Sequence, residues 1–174
     1  VQSKSRLRAA FALHGTMGAL PQGQGMPKPP NIPATSATAD DAEADFYAAM
    51  QAADVERLMA CWSDDEDIVC IHPGGNRVAG NAAVRASFAA IFANSGPIAI
   101  SPEQILRADT AACTVHHVLE KVELLTEQGP VHAYAVATNV YFQTVHGWRM
   151  VAHHASAMSP SVAQDMLRPP QVLH

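Results

Sequence analysis

The hydrophobic period of the chain switches once, at Gly96-Pro97, and this constrains the fold more than any other feature. Before it, apolar residues recur at the helical spacing of 3.6; after it, runs rich in Val, Tyr, Phe and Thr read as strands. Asp40 or Asp41 caps a first helix with Phe46, Tyr47, Ala49, Met50 and Ala53 on one stripe, and Asp54 caps a second with Val55, Leu58, Met59 and Trp62. The charged run Ser63–Asp67 ends that helix. Ile68–Ile71 reads as a short buried strand, stopped by His72-Pro73-Gly74-Gly75, and a third helix covers Asn81–Asn94. Four strands follow, Ile98–Arg107, Cys113–Leu125, Val131–Thr144 and Trp148–Met158, with Pro102 marking the first as an edge or a bulge. Helices followed by antiparallel strands predict an α+β fold with its sheet wrapped on the helices.

The flanks differ in composition. Residues 1–38 carry Pro21, Pro27, Pro29, Pro30 and Pro33, a density that excludes helix interiors and sheet centres. This arm is expected to wrap a partner subunit. Lys4, Arg6, Arg8 and the apolar run Ala9–Leu13 imitate a signal peptide, but His14-Gly15 cuts the run short. The body spans 39–158, and the tail 159–174 reads as peripheral. A formal charge of -5 argues against nucleic acid, and no apolar run is long enough for a membrane span. Cys61, Cys70 and Cys113 form no metal or disulfide pattern and read as core residues of a cytoplasmic protein. Neither a phosphate loop, a serine-hydrolase elbow nor a calcium loop is present.

Five segments in order carry a resemblance: Phe46–Asp54, Trp62–Asp65, Ile71–Gly75, Val78–Arg85 and Gly147–His154. Together they resemble the nuclear transport factor 2-like superfamily, in its SnoaL-like and ketosteroid-isomerase-like branch. The resemblance implies a cone in which a curved antiparallel sheet wraps three N-terminal helices around a deep, mostly apolar cavity. It also implies a homodimer paired through the sheets. The isomerase tyrosine, base carboxylate and protonated acid fall on Phe46, His72 and Asn139, so none is retained; Tyr47 lies one helical step, about 100°, from the first.

The replacements still carry chemistry. His72 suits proton shuttling near neutral pH, and the Asn139 amide can hold a carbonyl or enolate oxygen. Both can equally serve as satisfied buried polar groups. With Asn139 inward, period-two parity turns Ala135, Ala137 and Tyr141 inward too. It leaves Tyr134, Thr138, Val140 and Phe142 as an apolar outer row. Similar registers turn His117 inward on the second strand and Met150, His154 and Ser156 inward on the last, with His116, Glu120 and His153 outward. A bulge would exchange His116 and His117. Trp62 completes the cavity wall or packs as core. The inward histidines His72, His117 and His154 lack the local spacing of a zinc site, so neither metal nor cofactor is expected. The expected function is binding of a small, mostly apolar carbonyl- or hydroxyl-bearing ligand, with proton transfer of isomerase or cyclase type. The alternative is a non-catalytic dimeric binding or assembly module.

Overall fold

The computed structural model describes residues 36–168. The expected wrapping arm therefore lies, up to residue 35, outside the described residues. Helix α1 (Ala39–Ala52) starts from Thr38 rather than from Asp40 or Asp41. The Thr38 hydroxyl accepts from the Asp41 N–H and the Asp41 carboxylate accepts from the Thr38 N–H, both at 3.0 Å. This reciprocal capping box satisfies two otherwise orphaned donors. The helix ends at Ala53, whose φ of 51° is left-handed. Helix α2 (Val55–Ala60) is capped by Asp54 as expected, and β1 (Val69–Ile71) pairs with β2 (Arg77–Ala79), a strand the periodicity did not show. Helix α3 (Asn81–Ser95) then leads into β3 (Ala99–Asp109), β4 (Cys113–Thr126), β5 (Gly129–Thr144) and β6 (Gly147–Met158).

The six strands form one sheet in the order β2-β1-β6-β5-β4-β3. Its pairings are antiparallel, as expected, except that β1 runs parallel to β6, which makes the sheet mixed. Strand β3 is an edge, with a register shift between Glu103 and Leu106, as Pro102 foretold. The inner face packs on the helices around Phe46, whose ring meets Tyr47, Trp62 and Phe88 edge-on at centroid distances of 5.2, 6.4 and 6.0 Å. The tail is less peripheral than expected. Residues Pro160–Leu167 form α4, capped by Ser159, which packs on β5 and buries Ala163 completely.

Strand β5 follows the expected parity: Ala135, Ala137, Asn139 and Tyr141 are buried, while Tyr134, Thr138 and Val140 are half-buried and Phe142 is exposed on the outer face. Its neighbours require two corrections. On β4, Asn139 faces His116, so His116, Val118 and Glu120 are buried and His117 is exposed. Val115, Leu119 and His117 share one row and Thr114, Val118 and Val122 the other, both partly apolar, so local pattern does not select between them. On β6 the pairing jumps from Val140 with Ala152 to Tyr141 with Met150, leaving Val151 as an extra residue. This bulge keeps Met150 inward but reverses the facing of the later residues, burying His153 and Ala155 and exposing His154 and Ser156.

The left-handed Ala53 supplies a stability prediction. Its Cβ strains the backbone by about 1–2 kcal/mol, while glycine costs roughly 0.5–1 kcal/mol of added unfolded-state freedom. Ala53→Gly is expected to raise stability by up to about 1 kcal/mol in urea denaturation; a loss would show that the Ala53 side-chain packing outweighs the strain.

Candidate functional site

One helical stripe and three strands deliver polar side chains into the cone. Glu43 lies on α1 one turn before Tyr47, both within the buried stripe. Its Oε2 accepts from Asn139 Nδ2 at 3.0 Å, from the Tyr141 hydroxyl at 3.2 Å and from His116 Nδ1 at 3.0 Å. An acceptor-only carboxylate sets the imidazole tautomer: Nδ1 of His116 carries a proton. Asn139 Nδ2 also donates to the Tyr47 hydroxyl at 3.3 Å, and that hydroxyl donates to Glu120 Oε1 at 2.9 Å. With its Nδ2 so committed, Asn139 turns its Oδ1 to His153, whose Nδ1 donates at 2.7 Å. Burial drives the His153 pKa down to about 3, aided by His72 and His154, so this ring is neutral. Burial likewise raises the Tyr47 and Tyr141 hydroxyls, and it moves Glu120 up to about 7 against the opposing Tyr47 hydrogen bond.

A second cluster surrounds His72. Ser87 Oγ donates to the Val84 carbonyl at 2.7 Å, so its oxygen accepts from His72 Nε2 at 3.1 Å. His72 is thus a donor to Ser87 and does not activate it as a nucleophile. Its ring packs edge-on against Phe88 at 4.9 Å, beside the Cys70 sulfur, and burial lowers its pKa to about 4. The Cys70 thiol is pushed up by the same burial, and Cys61 to about 12, so neither is a ready thiolate.

The interior network meets an open cavity at His116. A cavity of about 220 Å³ is lined by Thr38, Ala39 and Asp40 at the start of α1, by Arg107, Asp109, Thr110, Thr114 and His116 on the β3–β4 hairpin, and by Trp148. His116 is 1% exposed, and its Nε2 lies 3.8 Å from Asp40 Oδ1, beyond hydrogen-bond reach. Arg107 Nε pairs with Asp40 Oδ1 at 2.7 Å across the same cavity.

The sequence and the fold are similar to those of known proteins. The SnoaL-like domain family profile matches residues 40–160. The chain belongs to the SnoaL-like domain family. A structure from Thiobacillus denitrificans, assigned as a calcium/calmodulin-dependent protein kinase type II association domain, is 34% identical over 70% of this chain and 96% of its own, with a TM-score of 0.65. A Streptomyces avermitilis protein of the nuclear transport factor 2-like family, assigned as a dehydratase, is 28% identical over 67% and 91%, with a TM-score of 0.61. The S. rosetta CaMKII hub shares the fold at 16% identity, covering 80% of this chain and all of its own at a TM-score of 0.58. No curated protein matches.

The residues expected from sequence in this SnoaL-like domain divide into four groups. Asn139 and Tyr141 join the buried network, and Trp62 and Met150 are buried in the core, paired through a short parallel bridge. Trp62 Nε1 is fully enclosed and lacks a partner among the described residues. His72 belongs to its own cluster. His117, His154 and Ser156 lie on the outer face; His117 bonds Thr138, and His154 bonds Ser156. No group of three or more His, Cys, Asp or Glu among the described residues is placed to hold a metal ion. Sequence reasoning missed Glu43, Glu120, His116 and His153. Glu43 had a signal: it sits four residues before Tyr47 and seven before Met50, on the stripe that faces the sheet. Tyr47, set aside because one helical step rotates it away from Phe46, is turned by that step toward Glu120 on β4.

The buried acids and imidazoles make stability pH-dependent with opposite signs. The Glu120 pKa rises from 4.5 to about 7, so the folded state holds more protons between those values and this group's contribution falls as pH rises. His72 and His153 are lowered from 6.5 to about 4 and about 3, so their contribution is lost as pH falls below 6.5. Glu120→Gln is therefore expected to gain on the wild type by up to about 3 kcal/mol between pH 4.5 and pH 8, at 1.36 kcal/mol per unit. Denaturant titrations of both proteins across that range measure it, and a constant difference would refute the charge argument.

Proposed function

We propose that this SnoaL-like domain binds a small, mostly apolar ligand bearing a carbonyl or hydroxyl in the His116 cavity and moves a proton on it. The observation that supports this reading is the position of His116, with Nδ1 tied to the buried Glu43 and Nε2 facing the cavity wall. In the tautomer whose Nδ1–H donates to Glu43, Nε2 carries the lone pair and can serve as a base. When Nε2 takes a proton from a carbon next to a carbonyl, Glu43 stabilises the imidazolium through the Nδ1–H bond. Among the described residues Arg107 bonds Asp40 through Nε alone, leaving its terminal nitrogens to hold the developing oxygen. Asn139 and Tyr141 act as positioning residues by fixing the Glu43 carboxylate. The three free cysteines fit a reducing, cytoplasmic setting.

A thermal-shift panel of phenols and cyclic enones tests binding. A ligand present at a hundred times its Kd adds about 2.7 kcal/mol to stability. The shift is expected to disappear in His116→Ala and to persist in His72→Ala. For a ligand that binds, NMR of deuterium exchange beside its carbonyl is expected to slow about a hundredfold or more in His116→Ala. Binding with no exchange would leave a binding protein, and no shift from any compound would favour the assembly module.

A second observation supports self-association. Val136, Val140 and Phe142 make an apolar row on the outer face of β5, with Phe142 46% exposed. We propose that two copies pair through this face, a reading supported by the relatives assigned as association domain and hub. Phe142→Arg is expected to shift sedimentation velocity from dimer toward monomer with the fold retained by circular dichroism; an unchanged sedimentation coefficient would overturn the pairing.

A further inference from the structure

We infer that the ligand of the His116 cavity carries a protonated amine, an inference that rests on the proposed reading of this cavity as the ligand site. The charges on its walls do not balance among the described residues. Arg107 is taken by Asp40, whereas Asp109 accepts the Thr114 hydroxyl and pairs with no cation. Behind His116 stands Glu43, buried and held only by neutral donors and that imidazole. Asp109 on the wall thus acts on the cavity without a matching cation among the described residues, and the Glu43 carboxyl lies behind the His116 ring. Trp148 adds a half-buried indole to the same lining, a surface that attracts a cation through its ring. A carboxylate ligand could reach only the terminal nitrogens of an Arg107 already paired with Asp40, and would there face Asp40, Asp109 and Glu43. An ammonium group meets Asp109 or Trp148 directly and leaves the Arg107–Asp40 pair intact. The rest of such a ligand presents its hydroxyl to His116 Nε2, which lies 3.8 Å from Asp40 Oδ1 and has no hydrogen-bond partner among the described residues.

Three phenols of nearly equal shape separate the cases: tyramine with an ammonium group, tyrosol with a neutral hydroxyl, and 4-hydroxyphenylacetate with a carboxylate. Affinities measured by NMR titration on the full chain at pH 7 are expected to fall in that order, tyramine binding about tenfold more tightly than tyrosol. Asp109→Asn retains an acceptor for Thr114 and removes only the charge, so it is expected to abolish the roughly tenfold preference for tyramine over tyrosol. Raising salt to 1 M is expected to weaken tyramine alone, which tests the same charge in the wild-type protein. Tyrosol or the carboxylate binding as tightly as tyramine would overturn the amine while keeping the ligand site. Failure of all three at millimolar concentration would count against the ligand site itself.

Discussion

The structure depends most on the burial of the Glu43 carboxylate. Taking an ion out of water costs several kcal/mol unless hydrogen bonds replace its hydration. Glu43 receives them from β4 through His116 and from β5 through Asn139 and Tyr141. The same oxygen therefore fixes how far α1 slides along the sheet and which row of each strand faces inward. A one-residue slip of either strand would remove its donors and strand the charge in the core. The constraint also passes outward. Asn139 is committed by its amide nitrogen, so its oxygen selects the tautomer of His153, and His116 must hold its proton on the inner nitrogen.

Two buried carboxyl groups in one network have unlike chemistry because their surroundings differ. Glu43 collects three donors on one oxygen, whereas Glu120 accepts from the Tyr47 hydroxyl and feels the nearby Glu43. The single hydrogen bond does not compensate burial, and Glu120 moves to about 7. One acid, on α1, thus anchors the imidazole at the cavity, while the other, on β4, is pushed up to about 7 and gains a proton near neutrality. Separation of this kind avoids placing two negative charges together in a medium of low polarity.

The order of elements was legible because its signals are local. Gly96-Pro97 stops the helical period, Asp54 caps α2, and the alternation of β5 places Asn139 and Tyr141 inward without knowledge of any partner. Strand facing was illegible wherever it depends on pairing. On β4, Val115 and Leu119 compete with Val118 and Val122, and only the match of His116 with Asn139 decides between rows. Ser159 and the small Ala163 gave α4 little periodic signal, while its packing on β5 is a long-range fact. Glu43 was overlooked for a different reason: a charged residue at the start of a helix is ordinarily assigned to solvent, and only three distant donors make its burial tolerable.

The extra residue at Val151 lets one strand serve two environments. Before it, Met150 meets Trp62 in the aromatic core; beyond it, His153 meets the Asn139 amide. In a strand of unbroken alternation, facing Met150 inward would send His153 to solvent and bring His154 into its place. The bulge is a phase shift that keeps both inward contacts, so the wall of the cone tolerates substitutions beside Val151 more readily than a deletion there. Length, rather than side-chain identity, is what this stretch of the chain must inherit unchanged.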